Sequence, residues 1–368
     1  MMRPLHLFCT AVLAAGALVT EVSAQNRPTA IRLGRPDAVI PEEFTEITSI
    51  RELPNGDVLV ADRRERRLVL VRSGSGEVVQ VGRNGNGPGE YQVPGALYAM
   101  AGDSTLFTDE ITRRWYILRG ARIVEDIPAN HRLAEMLGQF LGGADQKGSL
   151  LGKTGSPSTS GLAAGLPDSI MIIKASLNTE RLDTLARVGG IGRMGVKVYR
   201  GGRGGVVTTP LMAVADQAVL FPDGWVAVAF SDPYRVDWLS PTGQWLRGSP
   251  LPFERIRVND REVCAFLERS YGERARPCNP AVSEWPAVLP AFLSDALLAA
   301  PDGRLLIRRL PSIAAPQTGY DVIDRRGNLV GHLDLPPSEK VVGFGPRSVY
   351  VVKTDEFGLQ QLRRHPWP

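Results

Sequence analysis

Between Leu53 and Pro94 short apolar runs alternate with polar turns. Pro54-Asn55-Gly56 opens a turn, Val58 to Val60 is apolar, Asp62 to Arg66 is polar, and Leu68 to Val71 is apolar again. Ser73 to Gly76 then turns the chain into Glu77 to Val81. The pattern predicts three β-strands within about thirty residues, punctuated by residues that favour tight turns.

The same turn followed by a strand recurs along the chain. Gly102-Asp103-Ser104 precedes Thr105 to Phe107, and Pro167-Asp168-Ser169 precedes Ile170 to Ile173. Pro222-Asp223-Gly224, Pro301-Asp302-Gly303 and Pro346-Arg347-Ser348 open the remaining copies. Where nothing is inserted the spacing fits a four-stranded unit of about 40 to 50 residues. Six copies predict an all-β chain folded as a six-bladed β-propeller. A ring of sheets must also close, because an open edge strand invites association. Thr29 to Leu33 alternates and is short, so it is expected to be the N-terminal strand closing the last blade.

Two stretches break the repeat. His131 to Gly165 is rich in Gly, Ser and Thr and reads as a mobile loop or an irregular outer strand. The other, at about 257–285, reads as a short helical insertion between blades 4 and 5. Asn259 is placed to cap a helix with Glu262 reaching back, and Val263, Phe266, Leu267 and Tyr271 share one helical face. Such an insertion is either a lid over a ligand site or a plug over apolar surface.

Composition sets the class. With 43% hydrophobic and 22% charged residues the chain is globular. The formal charge of +4 comes mostly from arginines scattered along the sequence, so no nucleic-acid partner is expected. Arg3 followed by an apolar run from Leu5 to Val19 and by Val22-Ser23-Ala24 reads as a signal peptide over residues 1–24. The competing reading is a membrane anchor, but the run is shorter than the roughly 18 residues a span requires. The expected product is one exported propeller over residues 25–368, periplasmic or extracellular, without a membrane span and monomeric. Cys264 and Cys278 are the two cysteines left after processing, and in an oxidising compartment their spacing predicts a disulfide.

Several strings look like motifs and are not. Gly82 to Glu90 (GRNGNGPGE) lacks the Lys-Ser/Thr ending of a phosphate loop, and Gly148 to Thr154 is one residue short of its spacing. No serine stands in a G-x-S-x-G elbow.

The Pro-Asn/Asp-Gly turns, the exit Val60-Ala61-Asp62 and the connection Gly85-x-Gly87-Pro88-Gly89-Glu90-Tyr91 resemble the six-bladed, NHL-like propeller proteins of bacteria. The resemblance implies a closed, exported propeller and no single activity. Similar propellers include calcium-dependent lactonases and an amidating lyase.

The candidate site follows the turns after the second strands. Asp62, Arg64, Arg66, Asp109, Arg113, Asp232 and Arg235 are expected to gather on one face of the ring, as turn-stabilising pairs or as a ligand surface. Asp355 occupies the same place in the last copy. Two functions remain open. One is a binding or scaffolding propeller without catalysis or cofactor, serving a protein, peptide or glycan partner. The alternative is a calcium-dependent, lactonase-like hydrolase or lyase with a metal in the axial channel, for which Glu43, Glu46, Asp103 and Asp216 are candidate ligands. The first is the leading expectation, so the chain is read as more a binder than an enzyme.

Overall fold

The computed structural model describes residues 28–137, 141–154, 169–189, 197–201, 204–208, 211–212, 216–282 and 285–368. The signal-peptide reading and the third turn, Pro167-Asp168, lie at least partly outside them.

Six antiparallel sheets follow one another in chain order, each laid from an innermost strand outward. The innermost strands are Ile47–Glu52, Pro94–Ala99, Leu141–Ala144, Gln217–Leu220, Phe292–Ala299 and Glu339–Phe344. The sixth sheet has only three strands from the C-terminal part of the chain, and Ala38–Phe44 pairs antiparallel with Gln360–Pro366 to supply its fourth. The six-bladed propeller closed by an N-terminal strand is therefore present, but the closing segment is not Thr29 to Leu33. Thr29–Ile31 instead adds a parallel fifth strand to the outer edge of blade five, against Leu329–Leu335. Ala38–Phe44 wins the closing position because it carries Ile40 and Phe44 into the core, whereas Thr29 and Ala30 are exposed.

The core is divided into wedges between neighbouring sheets. Phe44, Val60, Val69 and Tyr350 pack between blades six and one, and Leu59, Leu70, Phe107 and Tyr116 between one and two. Equivalent layers lie between each later pair, with Trp115 and Trp238 among the largest buried side chains. Apolar residues on both faces of the second and third strands explain why runs such as Leu68 to Val71 do not alternate.

The hairpin between the first and second strands repeats with a left-handed glycine: Gly56 at φ 86°, Gly102 at 61°, Gly148 at 76°, Gly224 at 90° and Gly303 at 86°. Only glycine takes this conformation without steric cost. In blade three the equivalent turn is thus Asp145 to Gly148, and Ile170 to Ile173 belongs to the third strand of that blade. The stretch from His131 is accordingly not loop alone; it holds a helical turn, Arg132–Leu137, and the two inner strands of blade three. Its glycines serve close packing, since a Cβ at Gly142 would stand 2.6 Å from the Ala218 carbonyl oxygen.

The insertion between blades four and five contains the helix Asp260–Tyr271, and Cys264 is bonded to Cys278. Asn259 caps it, accepting from the amides of Arg261 and Glu262 at 3.0 and 3.1 Å. Glu262 does not reach back to complete a capping box. It turns inward and its carboxylate accepts from the Ile313 amide. Val263, Phe266 and Leu267 pack with Met212 and Leu289, while Tyr271, expected on the same face, is exposed. The insertion enters the innermost strand of blade five at its beginning. It therefore lies at the end of the ring where the innermost strands start.

Candidate functional site

That end of the ring is held together by aspartates. Asp62, at the close of the second strand of blade one, is fully buried and accepts from the amides of Thr45 at 2.8 Å, Glu46 at 3.2 Å and Glu65 at 3.1 Å. Asp109 does the same in blade two, with Gln92 at 2.7 Å, Val93 at 3.2 Å, Ile111 at 2.9 Å and Thr112 at 3.2 Å. Each carboxylate ties its own turn to the chain entering the innermost strand of its blade. Asp216 makes the same tie from the other side, accepting from Gly189 at 2.8 Å and Ser231 at 3.0 Å. Asp355 accepts from Phe357 and Leu359 within its own turn.

The arginines of these turns are placed differently. Arg66 and Arg113 are exposed residues with left-handed backbones, φ 54° and 59°, and Arg64 is exposed beside Arg66. Asp232 opens the turn at Pro233, and Arg235 lies in the next strand, 3.1 Å from Asp237 and stacked over Phe230. Among the described residues no ion pair joins Asp62 to Arg66, Asp109 to Arg113 or Asp232 to Arg235. Asp62 and Asp109 are filled by backbone donors, and Arg64, Arg66 and Arg113 face water.

Inside the ring lies a cavity of about 930 Å³, lined from all six innermost strands. Its charged residues come from five blades: Glu46 and Arg63 from blade one, Glu110 from two, Lys153 from three, Asp295 and Arg308 from five, and Lys340 from six. Tyr98 adds a phenol from blade two. Asp295 stands in a bulge of the innermost strand, where pairing with the next strand slips between Phe292 and Leu297, and its φ is 57°. A non-glycine residue held in the left-handed region marks a position the surrounding structure imposes.

Enclosure alters these groups. Burial raises the pKa of Glu110, reinforced by the charges of Glu46, Asp109 and Asp295 and opposed by Arg63. Burial lowers that of Lys153, against the stabilising charges of Asp295 and Asp216; its ammonium donates to the Asp216 carbonyl at 3.0 Å. Burial and the charge of Asp295 raise the Tyr98 phenol.

A resident calcium ion needs about six to eight oxygen ligands. Among the described residues no three Asp, Glu, His or Cys side chains are grouped to hold a metal. Glu46 is the one candidate ligand in the cavity; Glu43 is in the closing strand at the rim, Asp103 is in a turn at the opposite end, and Asp216 is engaged with amides. Glu46 and Glu110, two carboxylates of the cavity, already share a cation, the guanidinium of Arg63 at 3.8 and 3.1 Å. This donor set does not fit calcium.

No family model matches the chain, and no curated protein matches it. Solved structures of similar shape exist. A gluconolactonase from Xanthomonas campestris is 10% identical, with 92% of this chain and 95% of that one covered and a TM-score of 0.48. Regucalcin, a calcium-binding protein from Agrobacterium tumefaciens, is 11% identical over 92% and 97% at 0.48, and virginiamycin B lyase from Staphylococcus aureus 9% over 90% and 98% at 0.45. Likeness at this level concerns the fold. Two of the three are named as enzymes, against the expectation of a propeller without catalysis.

The residues that meet in the cavity were not among those expected, Glu46 excepted. No blade supplies more than two of them, and they lie far apart in the sequence, so no spacing announces them.

Proposed function

We propose that the protein is an acid–base enzyme of the hydrolase or lyase kind, acting without a resident metal on a small substrate held in the axial cavity. The observation that carries this reading is the convergence of Glu110, Lys153 and Asp295 from three blades, with burial moving Glu110 and Lys153 from opposite directions toward neutral pH. Groups tuned in this way transfer protons efficiently near neutrality.

In this scheme Glu110 takes a proton, from water in a hydrolysis or from carbon in an elimination, and Lys153 gives one to the departing oxygen. Asp295 keeps Lys153 protonated against burial. The strained bulge holds that charge at the cavity wall. The Cys264–Cys278 disulfide is consistent with action outside the cytoplasm.

The test is turnover of a panel of lactones, esters and β-eliminable hydroxy acids by the full chain and by Glu110→Gln and Lys153→Met. General acid–base groups contribute about a hundredfold or more each, so both variants should lose at least that while keeping the melting temperature. Turnover left unchanged in both variants, or none by the parent across the panel, overturns the reading.

A further inference from the structure

Strand alternation sends neighbouring charges to opposite sides of the inner sheets. In blade five Arg309 points outward and pairs with Asp321 and Asp334, while Arg308 points into the cavity. In blade six Glu339 points outward to Arg363, and Lys340 points into the cavity. The two inward cations thus come from adjacent blades and stand on one wall, among Leu297, Leu298, Val341 and Val342.

Their surroundings differ from those of other cations of the propeller. Arg67, Arg114 and Arg235 each lie within 3.1 Å of a carboxylate, Arg63 bridges two, and Lys153 donates to a carbonyl. Among the described residues the side chains of Arg308 and Lys340 make no hydrogen bond and no ion pair. Both are partly buried, and the Lys340 ammonium is disfavoured by burial and by the neighbouring Arg308 charge, with Glu46 the carboxylate that partly offsets it. Holding two like charges together in an apolar-walled cavity is unfavourable unless an anion joins them.

We infer that Arg308 and Lys340 form an oxyanion subsite, so that the substrate of the axial cavity carries a carboxylate or phosphate which they grip on the wall of blades five and six. The planar guanidinium supplies two parallel donors to such a group and the ammonium a point charge. A molecule so anchored is held by one end, leaving the rest of it free to meet Glu110 and Lys153 in the same cavity. The inference rests on the acid–base reading only for calling the bound anion a substrate; the subsite itself stands on the two unpartnered cations.

Calorimetric titration of the full chain with succinate and with inorganic phosphate, at fixed ionic strength set with chloride, tests it. Binding of at least one anion is expected, weakened tenfold or more by Arg308→Gln and by Lys340→Met. Arg308→Lys, which keeps the charge, should lose less, and Arg181→Gln, an exposed pair with Asp183 outside the cavity, should lose nothing. The stronger of the two ligands names the source of the oxyanion. Failure of both anions to bind the parent, or equal affinity in the parent and both neutral variants, overturns the subsite. The two readings fail separately: turnover of neutral lactones with no anion binding removes the subsite and keeps the acid–base enzyme, whereas anion binding through Arg308 and Lys340 with no turnover does the reverse.

Discussion

The guanidinium of Arg63, carried by blade one, lies 3.1 Å from the carboxylate of Glu110 in blade two, and the same side chain reaches Glu46 at 3.8 Å. A fixed positive charge therefore stands between two acids of the cavity. It follows that calcium has nothing to gain there. Millimolar calcium, against chelator, should leave the melting temperature of the parent unchanged. A ligand at 100 times its dissociation constant adds about 2.7 kcal/mol, so a rise of several degrees would show that a metal site exists and that Arg63 moves aside for it.

Glu110 and Lys153 set the pH dependence of turnover. Glu110 acts ionised, and burial raises its pKa, so the rate should climb through a value above the ordinary carboxylate range. Lys153 acts protonated, and burial lowers its pKa, so the rate should fall through a value below the ordinary lysine range. Arg63 opposes the rise at Glu110; Arg63→Met should shift the climbing limb further up. Asp295 raises both groups, and Asp295→Asn should shift both limbs down. A profile whose limbs ignore both substitutions would mean that other groups titrate.

Asp109 separates structure from ligand binding. Its carboxylate accepts four backbone amides and is 2% exposed, so it is a clamp between the turn and the strand entry of blade two. Leaving such donors unmatched costs about 1 to 3 kcal/mol each, and Asp109→Ala should destabilise by about 3 kcal/mol or more in denaturant titration. Arg113→Ala, which removes an exposed side chain, should change stability by less than about 0.5 kcal/mol. Equal, small effects from both would return Asp109 to the surface.

The fold was legible because its information is local and repeated. Turns such as Pro54-Asn55-Gly56 and Pro301-Asp302-Gly303 announce a hairpin by themselves, and the helix cap at Asn259 does likewise. Blade three was misplaced because its turn, Asp145 to Gly148, has no proline and its inner strands carry Gly142, Gly143 and Gly152 where apolar residues were sought. The recurrent aspartates were legible as turn residues, yet their bonds to the preceding connection, Asp62 to Thr45 for example, span residues far apart in sequence. The cavity was not legible at all. Glu110, Lys153, Asp295, Arg308 and Lys340 meet only once the ring has closed.

Closure itself gives the last expectation. Ala38–Phe44 pairs with the C-terminal strand from Ala38 against Arg364 to Phe44 against Gln360, and the Gln360 side chain accepts from the Ile47 amide at 2.7 Å. Phe44 is fully buried between blades six and one. Thr29–Ile31 only extends the outer edge of blade five. A chain beginning at Leu33 should therefore melt within about 3 °C of the full chain, since it loses three strand residues that are at most half buried. A chain beginning at Thr45 opens the ring, exposes Leu362 and Tyr350, and leaves an unpaired edge; it should lose more than about 10 °C or associate on size exclusion. Phe44→Ala alone removes a buried aromatic side chain and should cost about 3 to 5 kcal/mol. If the chain beginning at Thr45 melts like the parent while that beginning at Leu33 does not, the parallel strand on blade five is the true latch.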